Sequence, residues 1–247
     1  MIFPESFATH DVPFQVLDAV GGSDPQFHAD RFMTQDIRHL TSAATEVQMP
    51  DFVVPDADPM DELRRWLSEA ADAGVSNQAA MVLATVGPDG TPSARALMAR
   101  AREGDSITFF SHYESPKARD IDANPAAEAV FLWTALERQV RVRGAVSKTT
   151  AEESDAYWAS RPRNTQLAIL AAPQSSMVSD HASLTKAKAE VTASADSDVP
   201  RPEWYGGYRL TPDSFEFWQG RPEDRLHLRA IYSREADGGW SFGLMAP

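Results

Sequence analysis

The sequence predicts an α+β protein that is mainly β, an antiparallel barrel with helices on its flanks. Apolar residues switch from helical spacing before Gly74 to period two, or to short continuous runs, over Ala80–Val86, Ser93–Ala101, Ser106–Ser111, Ala127–Trp133 and Gln139–Lys148. Those lengths suit strands. Tight turn signals, Gly87-Pro88-Asp89-Gly90 and Arg102-Glu103-Gly104-Asp105, separate the first three runs and predict an antiparallel meander. Strands this short, joined this tightly, favour a closed or nearly closed barrel.

In chain order, residues 1–57 mix prolines, acids and scattered aromatics without a sustained period, and are expected to be an acidic extension packed on the body or on a partner subunit. His10, His28 and His39 stand there among aspartates, but their spacings match no ligand set, so no metal site is expected. The body, residues 58–247, opens at Asp58-Pro59, an N-cap followed by proline at the first helical position. Met60, Leu63, Trp66, Leu67 and Ala70 repeat at helical spacing and Gly74 is the stop. Ser115-Pro116-Lys117 opens a second helix, whose free amide groups and dipole end favour an anion, with Lys117 adding a point charge. Thr150 to Glu153 is a capping box for a third, on which Tyr157 and Arg161 are four apart and share a face. Asn164–Ala172 and a segment capped by Ser179 or Asp180 read as further helices; strands over Tyr205–Leu210, Ser214–Gln219, Leu226–Arg234 and Trp240–Leu244 close the chain.

Composition bounds the function. The chain has 247 residues, a net charge of −13 and no cysteine. A basic surface for nucleic acid or anionic membrane is not expected, and thiol nucleophiles, disulfides and cysteine-ligated metals are excluded. Nine acids against two arginines in residues 1–57 account for −7 of that charge. The start lacks a basic n-region and apolar core, and no apolar run approaches the roughly 20 residues of a membrane helix, so a cytoplasmic location is expected. No GxGxxG, P-loop or GxSxG motif is present.

The densest chemistry lies near the end. From Arg225 the residues alternate as cation, leucine, imidazole, leucine, cation, so a strand would place Arg225, His227 and Arg229 on one face beside the flat wall of Phe217 and Trp218. Trp218-Gln219-Gly220, Arg225-Leu226-His227 and Arg229 together resemble the C-terminal signature of the pyridoxine (pyridoxamine) 5′-phosphate oxidases. Arg95 to Arg100, Ser115 to Lys117, Leu136 to Gln139, Tyr157, Ser160 to Arg163, Gln174 to Ser176 and Trp204 to Tyr208 follow in that family's order, so the resemblance covers Asp58 to Pro247.

The resemblance implies an FMN-binding split β-barrel, Greek-key-like, forming a homodimer with FMN between the subunits. Cofactor contacts are implied for Arg95, Ala96, Leu97, Met98, Arg100, Phe110, Ser111, Lys117, Gln139, Gln174, Ser175, Trp218 and Arg229. Arg100, Tyr157, Arg161 and Thr165 are implied for a substrate phosphate, with Arg225 and His227 as the catalytic pair holding the substrate ring. The implied reaction passes a hydride from pyridoxamine or pyridoxine 5′-phosphate, a phosphorylated pyridine, to FMN, and dioxygen reoxidises the flavin to give hydrogen peroxide. Two departures point toward other substrates: Arg100 replaces a lysine, and the basic N-terminal cover has no match. Pro116 stands where the family has a basic residue, which removes one phosphate contact. A specialised-metabolite oxidase of the phenazine type, or a flavin- or pyridoxal-phosphate-binding protein without turnover, are the alternatives. In a straight strand Arg95 and Arg100, five apart, point to opposite faces, so both reach one ligand only through a bulge or a strand end.

Overall fold

The computed structural model describes residues 52–53, 57–100 and 104–247; the expectations for residues 1–51, including His10, His28 and His39, lie outside them. Helix α1, Pro59–Asp72, starts where the cap signals place it: the Asp58 side chain accepts from the Met60 amide at 2.7 Å, and Asp61 and Glu62 occupy the first turn. Its apolar stripe Met60, Leu63, Trp66, Leu67 and Ala70 is buried. Trp66 meets Trp133 and Phe217 edge-on, at 6.4 and 5.2 Å between centroids. Phe52 packs on the same indole at 6.1 Å, and its carbonyl accepts from Arg65 at 2.7 Å.

Strands β1 (Ala80–Val86) and β2 (Pro92–Met98) pair through the Gly87–Thr91 turn, where Gly90 takes the φ of +82° that glycine tolerates. The other edge of β1 carries β4 (Ala126–Trp133), followed by β5 (Arg138–Lys148) and β6 (Tyr205–Gln219), all antiparallel. Strand β3 (Ile107–His112) pairs with the first half of β6, and β7 (Leu228–Arg234) with its second half; β8 (Trp240–Met245) borders β7. The Arg100 amide donates to the Thr108 carbonyl at 2.8 Å. That bond joins the end of β2 to β3, so β2-β1-β4-β5-β6-β3 runs as a ring with its seam between β2 and β3. The faces turned inward supply Leu83, Phe109, Phe131, Val140, Val142, Tyr208, Phe215 and Phe217, all fully buried.

Two expectations are corrected, and a third, the meander, is met in part: β1 pairs with β2 and the end of β2 bonds to β3, while β3 pairs along its length with β6. Gly206 and Gly207 stand opposite Ser111 and Phe110, and a Cβ on Gly207 would fall 2.9 Å from the Phe110 ring. These glycines therefore let the aromatic strand β3 lie close against β6. The strands expected at Tyr205–Leu210 and Ser214–Gln219 are one. Opposite Gly144 the register skips Asp213, a bulge that accommodates Pro212, which has no amide to donate. A side chain at 144 would put its Cβ 2.0 Å from the Thr211 carbonyl oxygen. Finally, β7 begins at Leu228 and not at Leu226: Asp224 accepts from the Leu226 amide at 2.9 Å and Arg225 has φ +62°, so the chain is still turning there.

Helix α2 (Pro116–Ala123) lies between β3 and β4. Helices α3 (Ala151–Ser160), α4 (Arg163–Ala171) and α5 (His181–Ser194) fill the connection from β5 to β6. The capping box of α3 is made in both directions, at 3.1 and 2.9 Å, and Asp180 caps α5. Among the described residues no helix is long and apolar enough to cross a membrane, and no group of three or more His, Asp or Glu is placed to hold a metal ion.

Candidate functional site

The start of α2 organises the first group. Ser115 is extended, Pro116 occupies the first helical position, and Lys117 is brought inward until only 5% of it is exposed. Its Nζ donates to Ser111 Oγ at 2.9 Å, Ser115 Oγ at 3.1 Å and Gln174 Oε1 at 2.8 Å. All three acceptors are uncharged oxygens. Burial, with a smaller push from the Arg95 cation, lowers the Lys117 pKa to about 8. Arg95, from β2, donates to Thr85 Oγ1 at 2.7 Å, to the Leu83 carbonyl at 3.2 Å and to Ser93, with Asp120 at 3.7 Å. Burial lowers its pKa as well, and Asp120 partly offsets that. A buried lysine at the N-terminus of α2 and a half-buried arginine beside it make a cationic pocket of the kind that suits an anion.

A second group adjoins the first through β3. Phe110, next to Ser111, stacks on Tyr157 at 3.5 Å and 12°. Arg161 lies at the C-cap of α3, with its guanidinium carbon 5.5 Å from the Tyr157 ring and its Nε buried with no hydrogen-bond partner among the described residues. The Tyr205 pKa is pushed up to about 12, first by burial and then by Tyr157, while Arg161 and Arg100 pull it back. Arg100, Tyr157 and Arg161 thus share one environment around Tyr205. Thr165 is half-buried in the first turn of α4, its amide bonded to the Pro162 carbonyl at 2.8 Å. Arg95 and Arg100 fall in different groups: β2 stops at Met98, the Arg100 amide turns to Thr108, and the exposed Arg100 side chain lies toward Tyr205 while Arg95 stays with Thr85 and Ser93. A groove of about 550 Å³ opens beside Arg161. Its other cations are engaged, Arg163 by the Ser197 carbonyl at 3.0 Å and Arg201 by Asp155 at 2.6 Å.

The third group is a row across the sheet. Leu132, Gln139, Trp218, Arg229 and Met245 are successive cross-strand partners on β4 to β8. Three of the anticipated cofactor residues, Gln139, Trp218 and Arg229, are therefore neighbours, and the row ends in exposed apolar side chains, Leu132 at 58% and Met245 at 40%. Glu216 accepts from two nitrogens of Arg229, at 3.1 and 3.0 Å. His227 lies 4.9 Å from Trp218, and its Nδ1 accepts the Arg221 amide at 3.0 Å, so in the neutral ring Nε2 carries the proton. The expectation that Arg225, His227 and Arg229 share a strand face is corrected. Arg225 is exposed in the left-handed region before the strand begins, and Leu226 is 63% exposed instead of inward.

Of the remaining anticipated residues, Ala96 faces away from Arg95 and is exposed, Leu97 and Met98 are half-buried, and Ser175 is exposed at φ +68° beside Gln174. Among the described residues the sheet row makes no hydrogen bond or ring contact with the other two groups. Thr85, Ser93, Asp120, Tyr205 and Glu216 were not anticipated. The i, i+2 spacing of Ser93 and Arg95 was visible in the sequence, but Thr85 and Asp120 join them only through the β1–β2 register and the seating of α2.

The family model described as pyridoxamine 5′-phosphate oxidase matches residues 67–195, and that described as the pyridoxine 5′-phosphate oxidase C-terminal dimerisation region matches residues 205–247. A pyridoxine/pyridoxamine 5′-phosphate oxidase of Burkholderia vietnamiensis is 45% identical over 192 residues, 77% of this chain and 89% of that one. One from Ralstonia pickettii is 46% identical over 197 residues, 80% and 92% of the two chains. The solved structure of PhzG from Burkholderia lata 383, in complex with tetrahydrophenazine-1-carboxylic acid, superposes with a TM-score of 0.76 at 30% identity, covering 82% of this chain and 98% of that one. A pyridoxamine 5′-phosphate oxidase-related, FMN-binding protein from Nostoc punctiforme shares the fold, with a TM-score of 0.64 at 19% identity over 77% of this chain and 99% of that one. Matched from within α1 to the last strand, and at more than 40% identity across most of its length, the chain belongs to the pyridoxamine 5′-phosphate oxidase family of flavin-dependent oxidoreductases.

Proposed function

We propose that this chain is an FMN-dependent oxidase that converts pyridoxamine or pyridoxine 5′-phosphate to pyridoxal 5′-phosphate, with dioxygen as final acceptor and hydrogen peroxide as the second product. The observation that carries the reading is the buried Lys117, held by three neutral oxygens with Arg95 beside it at the N-terminus of α2. A phosphomonoester dianion fits that donor set. Next to it, Arg161 with a buried Nε lacking a partner among the described residues, Tyr157 and Arg100, with Thr165 one turn on from Arg161, would make a second anion-seeking group, suited to the phosphate of the substrate. Two phosphate-seeking groups side by side suit one phosphorylated cofactor and one phosphorylated substrate.

Gln139, Trp218 and Arg229 would border the flavin ring, and Arg225 and His227 would orient the substrate ring against it. Bound FMN supplies the hydride acceptor; the protein supplies orientation and charge. A homodimer with FMN at its interface is supported by the match of residues 205–247 to a dimerisation region and by the exposed apolar ends of the sheet row.

The likeness to PhzG and the arginine at position 100 favour a second reading, an oxidase of a phenazine-type dihydroaromatic or another amine. One purified preparation separates the readings. Flavin absorption with peroxide release on adding pyridoxamine 5′-phosphate supports the first. Flavin that is reduced only by a different amine or dihydroaromatic compound supports the second. Bound flavin that no such donor reduces leaves a binding protein without turnover, and a colourless protein that takes up no FMN refutes both oxidase readings.

A further inference from the structure

Arg95 is surrounded by side chains that the family resemblance did not mark. Thr85 on β1 and Ser93 on β2 are cross-strand partners, with their hydroxyl oxygens 3.3 Å apart. Both donate to the same carboxylate oxygen, Asp120 Oδ2, at 2.6 and 2.9 Å. A hydroxyl has one proton to give. With that proton committed to Asp120, each oxygen presents only lone pairs, and each accepts from one terminal nitrogen of Arg95. Asp120 itself stays 3.7 Å from the guanidinium, so its grip on Arg95 runs chiefly through the two hydroxyls. It also sits on α2 three residues after Lys117, so one carboxylate ties both strands to the helix whose N-terminus carries the other cation.

We infer that Asp120, acting through Thr85 and Ser93, is a positioning residue for Arg95 in an anion site that takes the phosphate of FMN. The inference rests on the proposed reading of the Arg95–Lys117 cluster as that phosphate site. A carboxylate so close to an anion site opposes the anion by charge alone, so its position is accounted for only if it orders the arginine by more than it repels the phosphate. Thr85 is the first cause of the depressed pKa of Asp120, which keeps the group ionised and accepting.

The test is titration of the flavin-free full chain with FMN and with riboflavin, which lacks the phosphate. Asp120→Ala is expected to weaken FMN binding about tenfold as Arg95 regains rotamer freedom, to leave riboflavin unchanged, and to be partly rescued by Asp120→Asn, which keeps an accepting oxygen without the charge. An unchanged or tighter FMN affinity would overturn the inference, as would equal losses for FMN and riboflavin. Should Asp120→Ala fail to fold, Thr85→Val against Thr85→Ser decides: the valine variant must lose FMN selectively and the serine variant must not. If wild type does not prefer FMN to riboflavin, the phosphate reading falls and the inference with it. If Arg95→Ala abolishes that preference while Asp120→Ala preserves it, the inference alone falls.

Discussion

Lys117 makes the proposed cofactor site sensitive to pH in a direction that can be worked out beforehand. With its pKa held near 8 by burial and by Arg95, the empty site is protonated at Lys117 in about nine molecules of ten at pH 7 and about one in ten at pH 9. A phosphomonoester is already a dianion above about pH 7. FMN affinity should therefore fall about tenfold from pH 7 to pH 9, roughly 1.4 kcal/mol, as the cation that meets the phosphate is lost. Folding responds with the opposite sign. The lysine pKa is depressed on folding, so the unfolded chain binds the extra proton and the flavin-free protein gains stability as pH rises from about 8 toward the ordinary lysine value. Quenching of flavin fluorescence, titrated at each pH with riboflavin in parallel, measures the binding effect. Lys117→Arg should flatten the profile by keeping its charge throughout. An FMN affinity that does not change between pH 7 and 9, or a riboflavin profile of equal slope, would refute this account of the cluster.

Three further outcomes are expected. Arg225→Ala combined with His227→Ala should leave FMN bound, seen in the visible spectrum, while peroxide release is lost; retained turnover would remove both residues from the substrate site. Trp66→Ala should cost about 3–5 kcal/mol in urea unfolding, because an indole fully buried against Trp133 and Phe217 leaves a large cavity. Leu132→Glu, placing a charge at the apolar end of the sheet row, should shift the protein toward monomer in sedimentation and lower its flavin content; an unchanged dimer would exclude that row from the interface.

Local signals, including the turn that pairs β1 with β2, were legible in the sequence, and long-range pairing was not. The start of α1, the Ser115-Pro116-Lys117 helix end and the capping box at Thr150 depend on residues within one turn of each other, and each forms as expected. The nearness of Tyr157 and Arg161 follows from a four-residue spacing. The strand that pairs along β3 lies ninety-five residues away, Ser111 opposite Gly206, where no turn signal links the two. The row of Gln139, Trp218 and Arg229 depends on register, which the bulge at Asp213 shifts by one residue in a way no periodicity reveals. Alternation at Arg225 to Arg229 was misleading because Asp224 captures the Leu226 amide and delays the strand. The family resemblance located these residues without supplying the contacts that hold them.

The length of β6 bears on whether one chain can complete the proposed flavin site. Ser111 and Lys117 stand at Gly206, near the start of that strand, whereas Trp218 and Arg229 stand near its end. Twelve residues of extended chain separate Gly206 from Trp218, so the two groups sit toward opposite ends of β6. In the proposed dimer, with the flavin at the interface, the sheet row of a site comes from a second copy, related by a two-fold axis that creates two equal sites. Lys117→Ala and Arg229→Ala, each poor in flavin alone, then carry their defects on opposite sides of a site. Unfolded together and refolded as an equal mixture, half of the dimers pair the two variants, and each mixed dimer has one site free of both substitutions. About a quarter of wild-type flavin content should return. A mixture no better than the separate variants would mean that both residues serve a site within one chain, or that one of them does not touch the flavin.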